Sequence, residues 1–70
     1  MQQITITTEY IRLDAALKLA GVCATGGEAK LRIQGGEVLV NGAPCEMRGK
    51  KLRPGDRFAC GGRTVEVQAG

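Results

Sequence analysis

The chain has 70 residues, 43% apolar and 24% charged, with a net charge of +3 and no histidine. A chain this short buries only about 60% of its unfolded surface, so its core is thin and leaves little room for an enclosed active site. The balance of apolar and charged residues excludes a disordered polar tract, no apolar run approaches membrane-spanning length, and Met1 opens no signal-peptide pattern, so a cytoplasmic globule of one domain, residues 1–70, is expected.

In chain order, "QITIT" (residues 3–7) alternates, with Ile4 and Ile6 on one side and Thr5 and Thr7 on the other, and predicts a half-buried strand. Leu13, Ala16, Leu17 and Ala20 then recur at i, i+3, i+4 and i+7, one face of a helix. Asp14 and Lys18 lie one turn apart on the other face and are placed to pair weakly. Gly21 stands where a left-handed residue would end the helix.

A second short helix is predicted in "TGGEAKLRIQGG", begun by a capping box of Thr25 with Glu28 and stopped by Gly35 and Gly36. Ala29 and Ile33 share a face toward the first helix, Lys30 and Gln34 share a flank, and Leu31 points away. "EVLVNG" reads as a strand with Val38 and Val40 inward, running into an Asn41-Gly42 turn. Pro44 makes the return strand, residues 43–46, short or confined to an edge. "RPGD" is a turn before a strand over residues 57–60, and Gly61-Gly62 makes a tight hairpin into "RTVEV", with Val65 and Val67 inward. The predicted order is β-α-α-β-β-β-β, an α+β class with two short packed helices against a small, mainly antiparallel sheet.

The positive charge is local. Residues 1–47 carry four cations and five acids, whereas residues 48–63 carry six cations and only Asp56. Arg48, Lys50, Lys51 and Arg53 fall within six residues. Two uses fit such a cluster: an anion-binding surface, or a solvated loop that keeps a small protein soluble. Gly26-Gly27 at the start of the second helix leaves backbone N–H groups unobstructed at a positive dipole end, where a phosphate can approach; flexible glycine is the plainer reading.

Catalysis finds no support. The acids are scattered, and no Walker A or G-x-G-x-x-G pattern is present. Cys23, Cys45 and Cys60 are widely spaced, without the four ligands of a structural zinc site or a histidine base, and are expected to be reduced packing residues. Neither enzyme activity nor a cofactor is expected. With one Tyr, one Phe and no Trp, the chain lacks the row of exposed rings on which single-strand RNA readers stack bases. If it binds nucleic acid, phosphates and shape are what it reads, which favours folded RNA.

"IRLDAALKLAGVCATGGEAKLRIQGGEVLVNG", followed by "LRPGD", resembles the RNA-binding domain first seen in ribosomal protein S-four, the αL motif. The matching features are Arg12-Leu13-Asp14, Thr25, Ala29-Lys30, the run from Gly36 to Gly42 and Gly55-Asp56, over about residues 11–58. "LKLAGV", "GGEAK", "EVLVNG" and "RGKKL", with the leading strand, look closer to the small stand-alone bacterial branch of the YaaA/YbcJ type.

The resemblance implies an αL-type fold and contact with folded RNA, often ribosomal, through helix two and the loop after the first hairpin. Carried over by position, it nominates Arg12, Lys18, Lys30, Arg48, Lys50, Lys51 and Arg53, with Thr25, Gly26 and Gly27 through their backbone N–H groups. Gly26 stands where the family usually has Arg, so Lys30 and the basic loop are expected to compensate. The expected partners are structured RNA and ribosomal proteins, with no membrane, for a monomer.

Two other readings compete. One is a ribosome-associated assembly or quality-control module held by protein contacts. The other is a ubiquitin-like sulfur carrier, whose chemistry needs a C-terminal Gly-Gly; this chain ends Gln68-Ala69-Gly70.

Overall fold

The computed structural model describes residues 1–70. The elements are β1 (Gln2–Ile6), β2 (Ile11–Arg12), α1 (Leu13–Leu19), α2 (Gly26–Gln34), β3 (Val38–Val40), β4 (Ala43–Pro44), β5 (Lys51–Leu52), β6 (Arg57–Cys60) and β7 (Arg63–Ala69). Five strands form one sheet in the order β1-β7-β6-β3-β4. Every pair in it is antiparallel except β1 with β7, where Ile4 aligns with Val67 and Ile6 with Ala69. The Gly70 N–H continues that parallel edge by donating to the Ile6 carbonyl at 2.8 Å.

The turns follow from their residues. Asn41 and Gly42 both take positive φ, as do Gly61 and Gly62, which is what two-residue hairpins of matching twist require. β4 lies at the sheet edge, where the missing N–H of Pro44 costs no ladder bond. Both helices end alike. Gly21 at φ 74° and Gly36 at φ 77° donate to the carbonyls of Lys18 and Ile33, and the next N–H groups, of Val22 and Glu37, reach back to Leu17 and Arg32. That is the Schellman arrangement, which satisfies carbonyls a helix end leaves unpaired.

The helices pack on one face of the sheet around sixteen buried residues, none of them polar or charged. Leu13, Ala16 and Leu17 come from α1 and Ala20 from its C-cap, Ala29 and Ile33 from α2, and the alternating inward positions of β1, β3, β6 and β7 supply the floor. Cys23 and Cys60 are among them, and all three cysteines are free thiols. Burial, with the Glu28 carboxylate as a second cause, pushes the Cys23 thiol up from its ordinary pKa and keeps it neutral. Leu31, 72% exposed, finds no neighbour in the core.

The expected β-α-α-β-β-β-β series is present, with one addition. β2 and β5 form a separate two-stranded antiparallel ribbon that pairs Ile11 with Leu52 and Arg12 with Lys51. Four residues are too few for alternation to reveal. No helix is long and apolar enough to cross a membrane. Two consecutive helices directly after the first strands also set this order apart from the hairpin-then-helix order of a ubiquitin-like sulfur carrier.

Candidate nucleic-acid interface

The basic segment is tied down by its main chain. Arg12 occupies the N-cap of α1 but makes no side-chain cap. The first N–H groups of the helix are satisfied from outside it: Leu13 donates to the Lys50 carbonyl at 2.9 Å and Asp14 to the Arg48 carbonyl at 3.1 Å. A cationic stretch thereby performs the capping that Ser or Asp usually does, through its backbone. A turn within the segment, from the Lys50 N–H to the Met47 carbonyl at 3.1 Å, sets these carbonyls in place. The β2–β5 ribbon then holds the next two residues, with Leu52 fully buried and Lys51 exposed.

The side chains of Arg48, Lys50, Lys51 and Arg53 are left free of ion pairs. The three salt bridges of the molecule lie elsewhere: Arg12–Asp14 at 3.3 Å, Arg32–Glu28 at 3.4 Å and Arg57–Glu66 at 3.2 Å. Asp56, the one acid among the cations, is used by the turn that follows. Its carboxylate accepts the Arg53 N–H at 2.8 Å and the Asn41 side-chain amide at 3.2 Å.

Arg12 joins this segment to the helices. Its guanidinium lies over Gly49, so near that a β-carbon there would sit 3.6 Å from Nη2. A shallow depression lined by Arg12, Asp14, Ala15, Lys18 and Gly26 runs from there to the start of α2. At that start the Thr25 hydroxyl accepts the Glu28 N–H at 3.1 Å. The N–H groups of Gly26 and Gly27 have no acceptor in the protein, and the space beside Gly26 is open within 4 Å. These are free donors at the positive end of a nine-residue helix.

The geometry corrects one reading of the sequence and refines another. Asp14 pairs with Arg12, not Lys18, because its carboxylate turns back over the helix start, where Oδ1 also accepts the Ala15 N–H at 2.8 Å. Lys18 therefore stands free on the rim of the depression. In the capping box, Glu28 reaches one residue beyond Thr25 and accepts the Ala24 N–H at 2.8 Å, while its other oxygen holds Arg32.

Of the other nominated residues, Arg48, Lys50 and Lys51 are brought together with Arg12 at the start of α1, and Lys18 and Gly26 share the depression with it. Lys30 lies exposed on α2, and no hydrogen bond or ion pair joins it to the basic segment. Arg53 is exposed at the head of the Arg53–Asp56 turn. Sequence reasoning missed two features. One is the capping of α1 by the carbonyls of residues 48 and 50. The other is Tyr10, whose ring lies under the Lys51 ammonium, 4.9 Å from its centroid. Leu52, a lone apolar residue among cations, was the available signal that this segment is anchored. No group of three or more His, Cys, Asp or Glu side chains is arranged to hold a metal ion.

Comparison with known proteins matches residues 4–68 to the model of the S4 domain family. The chain is also similar to the probable ribosome maturation protein RlbA of Bacillus subtilis (strain 168), 51% identical over 53 residues, which cover 76% of this chain and 75% of that protein.

Proposed function

The chain belongs to the S4 domain family, and from that premise we propose that it acts as one non-catalytic domain that binds structured RNA in the cytoplasm, with ribosomal RNA as its target. The observation that carries the proposal is the capping of α1 by the Arg48 and Lys50 carbonyls. It fixes a basic segment by its backbone and leaves its side chains unpaired, beside the free N–H groups of Gly26 and Gly27. Fixed cations and fixed N–H donors on one surface suit phosphates held in the spacing of a folded RNA. Arg12, Lys18, Lys50 and Lys51 are the contacts expected nearest the centre, with Arg48, Arg53 and Lys30 around them and Thr25 holding the glycines in place. Similarity to the Bacillus protein, a probable ribosome maturation protein, favours a ribosomal setting.

The test is fluorescence anisotropy with labelled ribosomal RNA fragments, folded and single-stranded, across a salt series. Four to six neutralised phosphates give a log–log slope of roughly −3 to −5, at about 0.7–0.9 per contact. A flat salt response, or equal affinity for single strands, would sink the reading. A second reading, a ribosome-associated module held by protein contacts, is favoured by the apolar hollow lined by Ile11, Ala15, Lys18 and Leu19, where Leu19 is 57% exposed. Salt-insensitive binding to ribosomal particles, without binding to naked RNA, would favour it.

A further inference from the structure

The chain has two phenyl rings, and the fold treats them oppositely. Phe58 is 1% exposed and belongs to the core, whereas Tyr10 is 38% exposed. Tyr10 immediately precedes β2, the strand that carries Arg12 and pairs with the strand that carries Lys51. Within that ribbon Lys51 is the cross-strand neighbour of Arg12 and reaches diagonally to the Tyr10 ring. The Thr8 hydroxyl donates to the Tyr10 carbonyl at 2.8 Å and helps fix the turn that presents the ring. The one ring at the surface therefore stands against the basic segment.

We propose that Tyr10 is a stacking platform for a single unpaired base of a folded RNA whose phosphate is held by Lys51, an inference that rests on the RNA-binding reading above. The chemistry follows from the spacing. A ring and an ammonium 4.9 Å apart lie within the reach of one nucleotide, whose base and phosphate are tethered to each other. The cation–π contact holds Lys51 over one face of the ring before RNA arrives, so less side-chain freedom is lost on binding, and the base stacks on the opposite face. A base inside a duplex is stacked on its neighbours and offers no free face, whereas a bulged base does. One ring cannot track a single strand, but it can select a folded RNA that extrudes one nucleotide at the right place. The site would thus read a structural defect in an RNA helix through Tyr10 while Arg12, Lys50 and Lys51 read the phosphates.

The experiment uses the full chain and two short RNA hairpins, one perfectly paired and one carrying a single unpaired adenine. Anisotropy titrations compare wild type, Tyr10→Leu and Tyr10→Phe, with thermal melts to check folding. Wild type is expected to prefer the bulged hairpin by roughly 5- to 140-fold, the range that stacking of one base on an aromatic ring supplies. Tyr10→Leu should erase that preference and, through the lost contact with Lys51, weaken binding of the paired hairpin by far less than binding of the bulged one, and Tyr10→Phe should retain it. Because the chain has one Tyr and no Trp, its intrinsic tyrosine emission reports this ring alone, and the bulged hairpin should quench it more than the paired one. Equal binding of both hairpins by wild type, or an equal loss on both in Tyr10→Leu, would overturn the proposal and leave RNA binding standing. Binding of neither hairpin would overturn the reading beneath it as well.

Discussion

Residues 48–53 and residues 57–63 are near neighbours, both rich in cations, and the fold uses them in opposite ways. In the second stretch the side chains hold the structure. Arg57 pairs with Glu66 directly across the β6–β7 register. Arg63 donates to the carbonyls of Gly21 at 3.2 Å and Ala20 at 3.1 Å and to the Gln2 side chain, a cation placed at the C-terminal end of α1. In the first stretch the main chain holds the structure. The carbonyls of Arg48 and Lys50 cap α1, the Arg53 N–H closes a turn, and the charged ends of the side chains have no carboxylate partner. A loop anchored by its backbone keeps its charges for a ligand, and a loop anchored by its charges does not. Counting cations along the chain cannot tell the two apart.

The largest effect expected from this contrast is at Leu52, the one side chain of the basic stretch that does hold the fold. It is fully buried, and Leu52→Ala should cost about 2–5 kcal/mol. That is a large share of the total for a domain this size, roughly 4–10 kcal/mol. Urea denaturation should show the loss, and a cost below about 1 kcal/mol would mean that the ribbon does not anchor the segment. Next is the double substitution Lys50→Ala, Lys51→Ala, with the opposite readout. Two lost phosphate contacts lower RNA affinity by roughly 25- to 60-fold at about 0.1 M salt and reduce the log–log slope by about 1.4–1.8. Stability should move by no more than about 1 kcal/mol, since neither side chain supports the core and the exposed Lys51–Tyr10 contact is worth no more than that. A double variant that melts early but binds normally when folded would reverse the division of labour.

Much of the fold was legible because it rests on local chemistry. The three buried α1 positions and the buried Ala20 cap, the glycine helix stops, the Asn41-Gly42 and Gly61-Gly62 hairpins and the edge position forced by Pro44 all follow from residue types at short spacing. What was not legible depends on residues far apart in the chain. The parallel pairing of β1 with β7, the ribbon between residues 11–12 and 51–52 and the capping of α1 by residues 48 and 50 leave no periodic trace. The same holds for the candidate site. Its cations were visible as a cluster, but Asp14 turning to Arg12 and Tyr10 standing beside Lys51 are contacts that only the assembled chain makes.

Two substitutions of intermediate size probe the structural side of the comparison. Arg63→Ala removes the donor from two helix-end carbonyls and from Gln2, and should cost about 1–2 kcal/mol in thermal or urea denaturation, with the RNA affinity of the folded protein unchanged. Thr25→Ala should cost about 1 kcal/mol by removing the acceptor for the Glu28 N–H. It differs from Arg63→Ala in one respect. Fraying the first turn of α2 also loosens the Gly26 and Gly27 N–H groups, so RNA affinity should weaken together with stability. A Thr25→Ala protein with full affinity would remove those N–H groups from the interface and leave the basic segment alone.

The smallest effect is the sharpest test of the contrast. Arg57 is as cationic as Lys51, but it projects from the sheet face opposite the core and is occupied by Glu66. The pair is exposed, and such pairs contribute at most about 1 kcal/mol, so Arg57→Ala should barely move the melting curve. RNA affinity should stay within about twofold, because the guanidinium is held by Glu66 on the sheet face opposite the core. Glu66→Gln makes the complementary case. It frees Arg57 and raises the net charge by one without adding a contact to the proposed surface. If net charge governed binding, Glu66→Gln would tighten it and Arg57→Ala would weaken it by the factor one phosphate contact supplies. Near-constant affinity in both would show that the position of the cations decides, not the net charge.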